Sequence, residues 1–301
     1  MSSPSPNLVS AQWLSDNLGS VVILDASVDR GVDAQGLTTF GPGGGVFARH
    51  HIPTARFADL FEVLSDPGAR FPFTYPTRAQ MSAAAAYLGL SKNTEIVVYD
   101  QLSGAYAARV WLVLRAYGFA HTRVLDGGFA EWRRLGYGVE TAAPASSAPP
   151  LPASQPSKLP EPASAATSVE GAFAGHEEVA TIVAQGHEAP ILVCGLRTPD
   201  YTGESGGARP GHIPGSVSMP YPDLLDESGK VSVAQTRAAA SALGIGVDDE
   251  VVVYCGGGIN AAGVALALVE SGCRMPRVYD GSMNQWRADP DLPLVTGRMP
   301  R

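Results

Sequence analysis

Val251-Val252-Val253-Tyr254-Cys255-Gly256-Gly257-Gly258-Ile259-Asn260-Ala261-Ala262-Gly263-Val264-Ala265-Leu266 joins a β-branched apolar run to a helix-prone run through three glycines. The first run predicts a buried strand, the second a helix, and the glycines a tight loop between them. A cysteine at such a junction is placed to act as a thiolate nucleophile. Unpaired main-chain N–H groups and the positive end of a helix dipole stabilise negative charge there.

The same pattern stands earlier in the chain, where Val97-Val98-Tyr99-Asp100 matches Val252-Val253-Tyr254-Cys255. Working outward, Val22-Ile23-Leu24-Asp25 matches Ile191-Leu192-Val193-Cys194, and His51-Ile52-Pro53-Thr54-Ala55 matches His212-Ile213-Pro214-Gly215-Ser216. Asp126-Gly127-Gly128 through Trp132 matches Asp280-Gly281-Ser282 through Trp286. A conserved order at nearly constant spacing indicates a duplicated domain. Helical patterns at 78–88, 107–117, 234–243 and 261–271 alternate with the strands. The prediction is an α/β fold of parallel βαβ units, with Asp100 and Cys255 at the carboxyl ends of strands, where such folds bind ligands.

Residues 141–166 are dominated by Ala, Pro and Ser, which cannot bury a core, so this stretch is expected to be a linker. It separates a first domain at 1–140 from a second at 167–301. Across the 301 residues, 21 Lys and Arg stand against 29 Asp and Glu, a net charge of -8 that argues against nucleic-acid and anionic-membrane partners. The three cysteines, Cys194, Cys255 and Cys273, lack any CxxC or Cys/His metal spacing. Neither a metal nor a cofactor is expected. The opening Met1-Ser2-Ser3-Pro4 lacks the character of a targeting peptide, and no run approaches the roughly 18 apolar residues of a membrane span, so a cytoplasmic location is expected.

The repeated order of strand, His-Ile-Pro, strand-loop-helix and Asp-Gly-[Gly/Ser] to Trp resembles the two-domain rhodanese family, the thiosulfate and 3-mercaptopyruvate sulfurtransferases. The resemblance rests most on Gly211-His212-Ile213-Pro214-Gly215, on Tyr254 to Ile259, and on Tyr279-Asp280-Gly281-Ser282 with Trp286. It implies two tandem rhodanese-like domains, each a parallel sheet flanked by helices. It also implies a Cys255 persulfide that carries sulfur from a small anionic donor to a thiol or cyanide, with a thioredoxin-like reductant as a further partner. Gly256, Gly257, Gly258, Ile259 and Asn260 would form the active-site loop. The first domain would be catalytically inactive, with Asp100 in the nucleophile's place.

The chain also departs from that family. Thiosulfate-type loops carry cationic side chains after the cysteine, where this chain has Gly256 and Gly257. Mercaptopyruvate-type loops read Cys-Gly-Ser-Gly-Val, and their serine is Gly257 here. Donor binding would then fall to Arg209 and, second to it, Arg197; Asp200 stands where the family has another arginine. Asp59 matches an aspartate that in the mercaptopyruvate branch faces the site across the domain interface, so the resemblance implies a place for it in substrate binding, orienting a proton carrier, with a loop cap as the alternative.

Rival readings are a persulfide carrier without small-molecule turnover, a dinucleotide-binding protein and a phosphatase. Gly256 to Ala261 fits G-x-G-x-x-[G/A] with Asp280 downstream, but a cysteine precedes it. The phosphatase reading lacks its arginine, since Ala261 stands there. Cys194 and Cys273 are read as structural, with Cys194 weighed as a redox neighbour of Cys255. His51 and His212 are read as loop braces, Trp132 and Trp286 as core anchors, and Tyr106 as a packed tyrosine. Residues 41–45, Gly-Pro-Gly-Gly-Gly, are read as a mobile loop.

Overall fold

Ile96–Tyr99 and Val251–Tyr254 become the central strands of two separate five-stranded parallel sheets. The computed structural model describes residues 7–34, 38–91, 93–141, 168–186, 190–205 and 207–299. The predicted linker lies outside the described residues apart from Thr141. The chain divides into two compact units, Met1–Ser168 with Ser228–Lys230, and Val169–Glu227 with Val231–Arg301.

The first unit holds strands β1 (Leu8–Val9), β2 (Val22–Asp25), β3 (Val28–Val32), β4 (Thr38–Pro42), β5 (Arg56–Phe57), β6 (Ile96–Tyr99) and β7 (Thr122–Leu125). Its helices are α1 (Ala11–Asp16), α2 (Gly44–Arg49), α3 (Arg78–Tyr87), α4 (Ala105–Ala116) and α5 (Gly128–Arg134). The second unit holds β8 (Phe173–Ala174), β9 (Ile191–Cys194), β10 (Val217–Ser218), β11 (Val251–Tyr254) and β12 (Arg277–Tyr279). Its helices are α6 (Val169–Ala172), α7 (His176–Gln185), α8 (Thr198–Thr202), α9 (Val233–Ala242), α10 (Ile259–Glu270) and α11 (Ser282–Trp286).

The sheet orders β5-β2-β6-β7-β1 and β10-β9-β11-β12-β8 are the same topology twice. Register agrees as well: Asp25 pairs with Tyr99 in the first sheet and Cys194 with Tyr254 in the second. The duplication extends to single hydrogen bonds. Tyr99 Oη accepts the Ile52 N–H and Tyr254 Oη the Ile213 N–H, both at 3.0 Å. Nδ1 of His51 meets Phe47 O, and Nδ1 of His212 meets Tyr201 O, both at 2.9 Å. Trp132 donates to Gly138 O and Trp286 to Pro293 O. These bonds satisfy polar groups that the cores could not otherwise bury, so the histidines act as braces and the tryptophans as anchors.

Both faces of the second sheet are covered. Leu192, Cys194, Val252 and Tyr254 pack with Val179 and Ile182 of α7 and with Met283 and Trp286 of α11. Alternation along a strand sends Val251 and Val253 to the opposite face. There α10 packs against β11 and β12, and α9 packs against α10. Val264 through Leu268 of α10 are all buried, so this helix is apolar on every side.

Two expectations change. Helices α4 and α10 begin two residues earlier than their Ala/Leu patterns predict, because Gly104 and Gly258 take a left-handed φ of 79° and turn the chain directly into helix. Residues 41–45 are not a mobile loop but the end of a hairpin and the start of α2. Strands β3 and β4 pair antiparallel from Val28↔Pro42 to Val32↔Thr38. A Cβ on Gly43 would stand 1.9 Å from Ser27 O, so the glycine permits close backbone packing. Among the described residues no helix is long and apolar enough to cross a membrane.

Candidate active site

Cys255 leaves β11 at the carboxyl edge of the second sheet and is only 3% exposed. The chain then passes through Gly256 and Gly257 to Gly258, the cap of α10. Only Gly258 of the three has a left-handed φ, and a Cβ on Gly256 would meet nothing closer than Leu196 at 4.0 Å. The loop thus requires a glycine at 258 for its turn and has room for a side chain at 256. Ala262 N–H is the first in the helix to find a main-chain acceptor, Gly258 O at 3.3 Å. Among the described residues the N–H groups of Gly256 through Ala261 meet none. Six unpaired donors at the positive end of a twelve-residue helix form a nest for negative charge.

The first unit shows what such a nest does when it is filled. Asp100 Oδ1 accepts the N–H groups of Leu102 at 2.8 Å and Gly104 at 3.0 Å, and Oδ2 accepts that of Ala107 at 2.9 Å. One carboxylate therefore satisfies the loop and the start of α4. The loop is also one residue longer there, since Asp100 stands four residues before its cap Gly104 and Cys255 three before Gly258. In one repeat the anion is built in; in the other the donors surround a loop whose side chain is a thiol.

The cysteine loop is held by the start of α11. Met283 N–H donates to Cys255 O at 3.0 Å and Asn284 N–H to Gly256 O at 2.9 Å. Ser282 Oγ accepts the Cys255 N–H at 3.1 Å and donates to Tyr279 O at 2.7 Å. Ser282 belongs to the Asp-Gly-Ser motif, whose spacing alone does not reveal this role. The signal was present in the repeat: its counterpart Gly128 has a φ of 55°, and Ser282 holds a φ of 48° without being glycine. A non-glycine residue in that region costs about 1 kcal/mol or more, and the bridging hydroxyl offsets it. Ser282→Ala keeps the strain and strips the buried Cys255 N–H of its partner, so a loss of about 1–3 kcal/mol in denaturant unfolding is expected. Ser282→Gly relieves the strain and should unfold closer to wild type.

The remaining candidates have definite places. Arg209 Nη1 donates to Arg287 O at 2.9 Å and Asp289 O at 2.5 Å, and Nη2 donates to Leu292 O at 2.6 Å. Arg197 has a side chain 73% exposed and pairs with Asp200 at 3.5 Å. Asp59 lies in the first unit, where Oδ1 accepts the N–H groups of Phe61 at 2.7 Å and Glu62 at 3.3 Å; burial raises its pKa above the ordinary carboxylate value. Ile259 is buried and Asn260 half-buried in the first turn of α10.

Gly195 and Leu196 wall the loop; a Cβ on Gly195 would stand 3.1 Å from Val264 Cγ2 and 3.6 Å from Ala261 N. Cys194 points into the core, and burial pushes its thiol up to about 12. A thiol in that state is inert at neutral pH. Tyr106 packs 6.1 Å from Phe40 and 6.5 Å from Phe73 between ring centroids. No group of three or more His, Cys, Asp or Glu able to hold a metal occurs among the described residues.

Comparison with known proteins agrees with this fold. The family described as rhodanese-like domain matches residues 10–135 and 187–289. The chain is 30% identical over 267 residues to thiosulfate/3-mercaptopyruvate sulfurtransferase 1, mitochondrial, of Arabidopsis thaliana, covering 81% of this chain and 67% of that one. It is 28% identical over 294 residues to 3-mercaptopyruvate sulfurtransferase of Escherichia coli K12, covering 95% and 96%. The crystal structure of SseA from Escherichia coli superposes with a TM-score of 0.73 at 25% identity, over 91% of this chain and 98% of that one. With two matched segments, each built on the same five-stranded sheet, the chain belongs to the rhodanese-like domain family.

Proposed function

We propose that this protein is a sulfurtransferase that moves sulfane sulfur from thiosulfate or 3-mercaptopyruvate to a thiol or cyanide through a Cys255 persulfide. The observation that carries the reading is the unfilled nest of N–H groups from Gly256 to Ala261 around a cysteine loop, beside a repeat whose own nest is filled by Asp100. The Cys255 thiolate attacks the outer sulfur of thiosulfate; a Cys255 S–S bond forms, and the donor's S–S bond breaks with its electron pair leaving on sulfite. With 3-mercaptopyruvate the C–S bond breaks instead and pyruvate leaves as its enolate, to be protonated. An acceptor thiolate or cyanide then takes the outer sulfur and returns Cys255 to thiolate.

The nest stabilises the anionic sulfur in both half-reactions without a charged side chain in the loop. Gly257, standing where the mercaptopyruvate branch has serine, leaves the loop without a hydroxyl to shuttle a proton. The first domain is a silent copy, because Asp100 occupies its own nest. Arg209, with three carbonyl partners, braces the segment that follows α11. The three free cysteines support a reducing, cytoplasmic setting.

The test is to incubate the reduced protein with thiosulfate and measure intact mass. One added sulfur atom, mapped to the Cys255 peptide and removed by cyanide, is the expected result. Sulfur on Cys194 or Cys273, or no added sulfur with either donor, would sink the reading. Repeated turnover with excess donor and cyanide distinguishes an enzyme from a stoichiometric carrier.

A further inference from the structure

Arg287 follows Trp286 at the end of α11, the helix whose first turn is bonded to Cys255 O and Gly256 O. Its N–H donates to Met283 O at 2.9 Å, so it stands one helical turn, about 6 Å along the axis, from the residue that holds the cysteine. The side chain is half-buried and turns toward the segment between α8 and β10, where Nη2 makes a single long bond of 3.3 Å to Gly211 O. Nε is buried and meets no acceptor. Among the described residues no carboxylate oxygen lies within ion-pair distance of this guanidinium. Asp200, whose charge acts on it, is engaged by Arg197 and by the Ser205 hydroxyl.

Burial lowers the Arg287 pKa, and Asp200, Cys194 and Tyr254 act against that shift. Tyr254 ends β11, the strand that leads into the nucleophile's loop, and Cys194 ends its neighbour β9. Arg209 differs from Arg287 in the respect that matters: its guanidinium has three carbonyls, one of them Arg287 O. A fork of five donors with one long bond in use, in a half-buried position at the carboxyl edge of an open α/β sheet, is suited to a bidentate oxyanion.

We propose that Arg287 is the donor-binding residue of this site, holding the oxyanion end of the sulfur donor while the Cys255 loop receives its sulfur. The inference rests on the sulfurtransferase reading above. The shared chemistry is the sulfonate-like end of thiosulfate or the carboxylate of 3-mercaptopyruvate. It gives a glycine-only loop a means of choosing an anionic donor through a side chain outside that loop.

The test compares wild type with Arg287→Gln and Arg287→Lys by two readouts and a melting curve. The first is the rate of Cys255 alkylation by iodoacetate relative to neutral iodoacetamide. In Arg287→Gln this ratio should fall about fivefold or more, because only the anionic reagent senses the lost charge; Arg287→Lys should keep most of it. The second is steady-state sulfur transfer to cyanide, where Arg287→Gln should raise KM about tenfold or more and change kcat less. The effect confined to thiosulfate assigns the site to the sulfonate-like end, and the effect confined to 3-mercaptopyruvate assigns it to the carboxylate. An unchanged alkylation ratio and unchanged KM for both donors would overturn the proposal, as would equal slowing by both reagents with a lowered melting point, which marks a structural brace. Wild-type transfer that survives complete alkylation of Cys255 would instead overturn the reading of the nucleophile, and this proposal with it.

Discussion

Cys255→Ser is expected to abolish sulfur transfer, with a fall of at least about 10⁴-fold, while unfolding within about 1 kcal/mol of wild type. A hydroxyl cannot carry a sulfane sulfur, so no second-best route through the same atom exists. The fold should tolerate the change because the serine enters a loop of unpaired N–H donors that its oxygen can accept. Cys255→Asp adds a second arm. A carboxylate there should imitate Asp100 and accept loop N–H groups, so this variant should also be inactive but at least as stable as Cys255→Ser. Stopped-flow or discontinuous thiocyanate assays and denaturant titrations give both quantities. Transfer by Cys255→Ser near the wild-type rate would remove Cys255 from the mechanism. A Cys255→Asp variant less stable than Cys255→Ser by more than about 1 kcal/mol would show that the nest does not receive anions as argued.

The strand-cysteine-glycine-helix junction was legible because each part has a strong local signal: β-branched residues for β11, glycine for the turn, alanine and leucine for α10. The duplication was legible because it repeats those signals in order. The hairpin of β3 and β4 was not. Among the described residues of its two strands only Val28 is buried, so the segment carries no alternation of apolar and polar residues to reveal it.

Site residues divide in a similar way. Cys255 is announced by its place between a strand and a helix. Arg287 lies in a stretch, Trp286-Arg287-Ala288-Asp289, that looks like the solvated end of a short helix; its half-buried, underused guanidinium depends on Gly211 and Asp200, which are distant in sequence. Arg209 is the converse case. An arginine near His212 is conspicuous as an anion ligand, and only tertiary packing reveals the three carbonyls that occupy it. Ser282 falls between these cases, since the contrast with Gly128 was visible but its meaning required two dihedral angles.

Asp100→Ala is expected to destabilise the first unit by about 2–4 kcal/mol. Asp100 is 2% exposed, and its two oxygens satisfy three N–H groups at the loop and the first turn of α4. Alanine leaves those donors without a partner, where water has poor access to replace the carboxylate. Asp100→Asn should cost less, because its amide oxygen still accepts one or two of the bonds. The effect should be local: in native-state hydrogen exchange the amides of Leu102, Gly104 and Ala107 should lose protection in Asp100→Ala, while those of β11 should not. Asp100→Cys should empty the nest in the same way and pay a similar cost, and the freed donors should then lower the new thiol's pKa and speed its alkylation relative to Cys273. That variant separates two roles of the loop. If Asp100→Ala unfolds like wild type, the carboxylate is not what holds this nest together. If Asp100→Cys yields a thiol no more reactive than Cys273, unpaired N–H groups at a strand-to-helix junction are not sufficient to activate a cysteine, and the reactivity of Cys255 must come from elsewhere in its own domain.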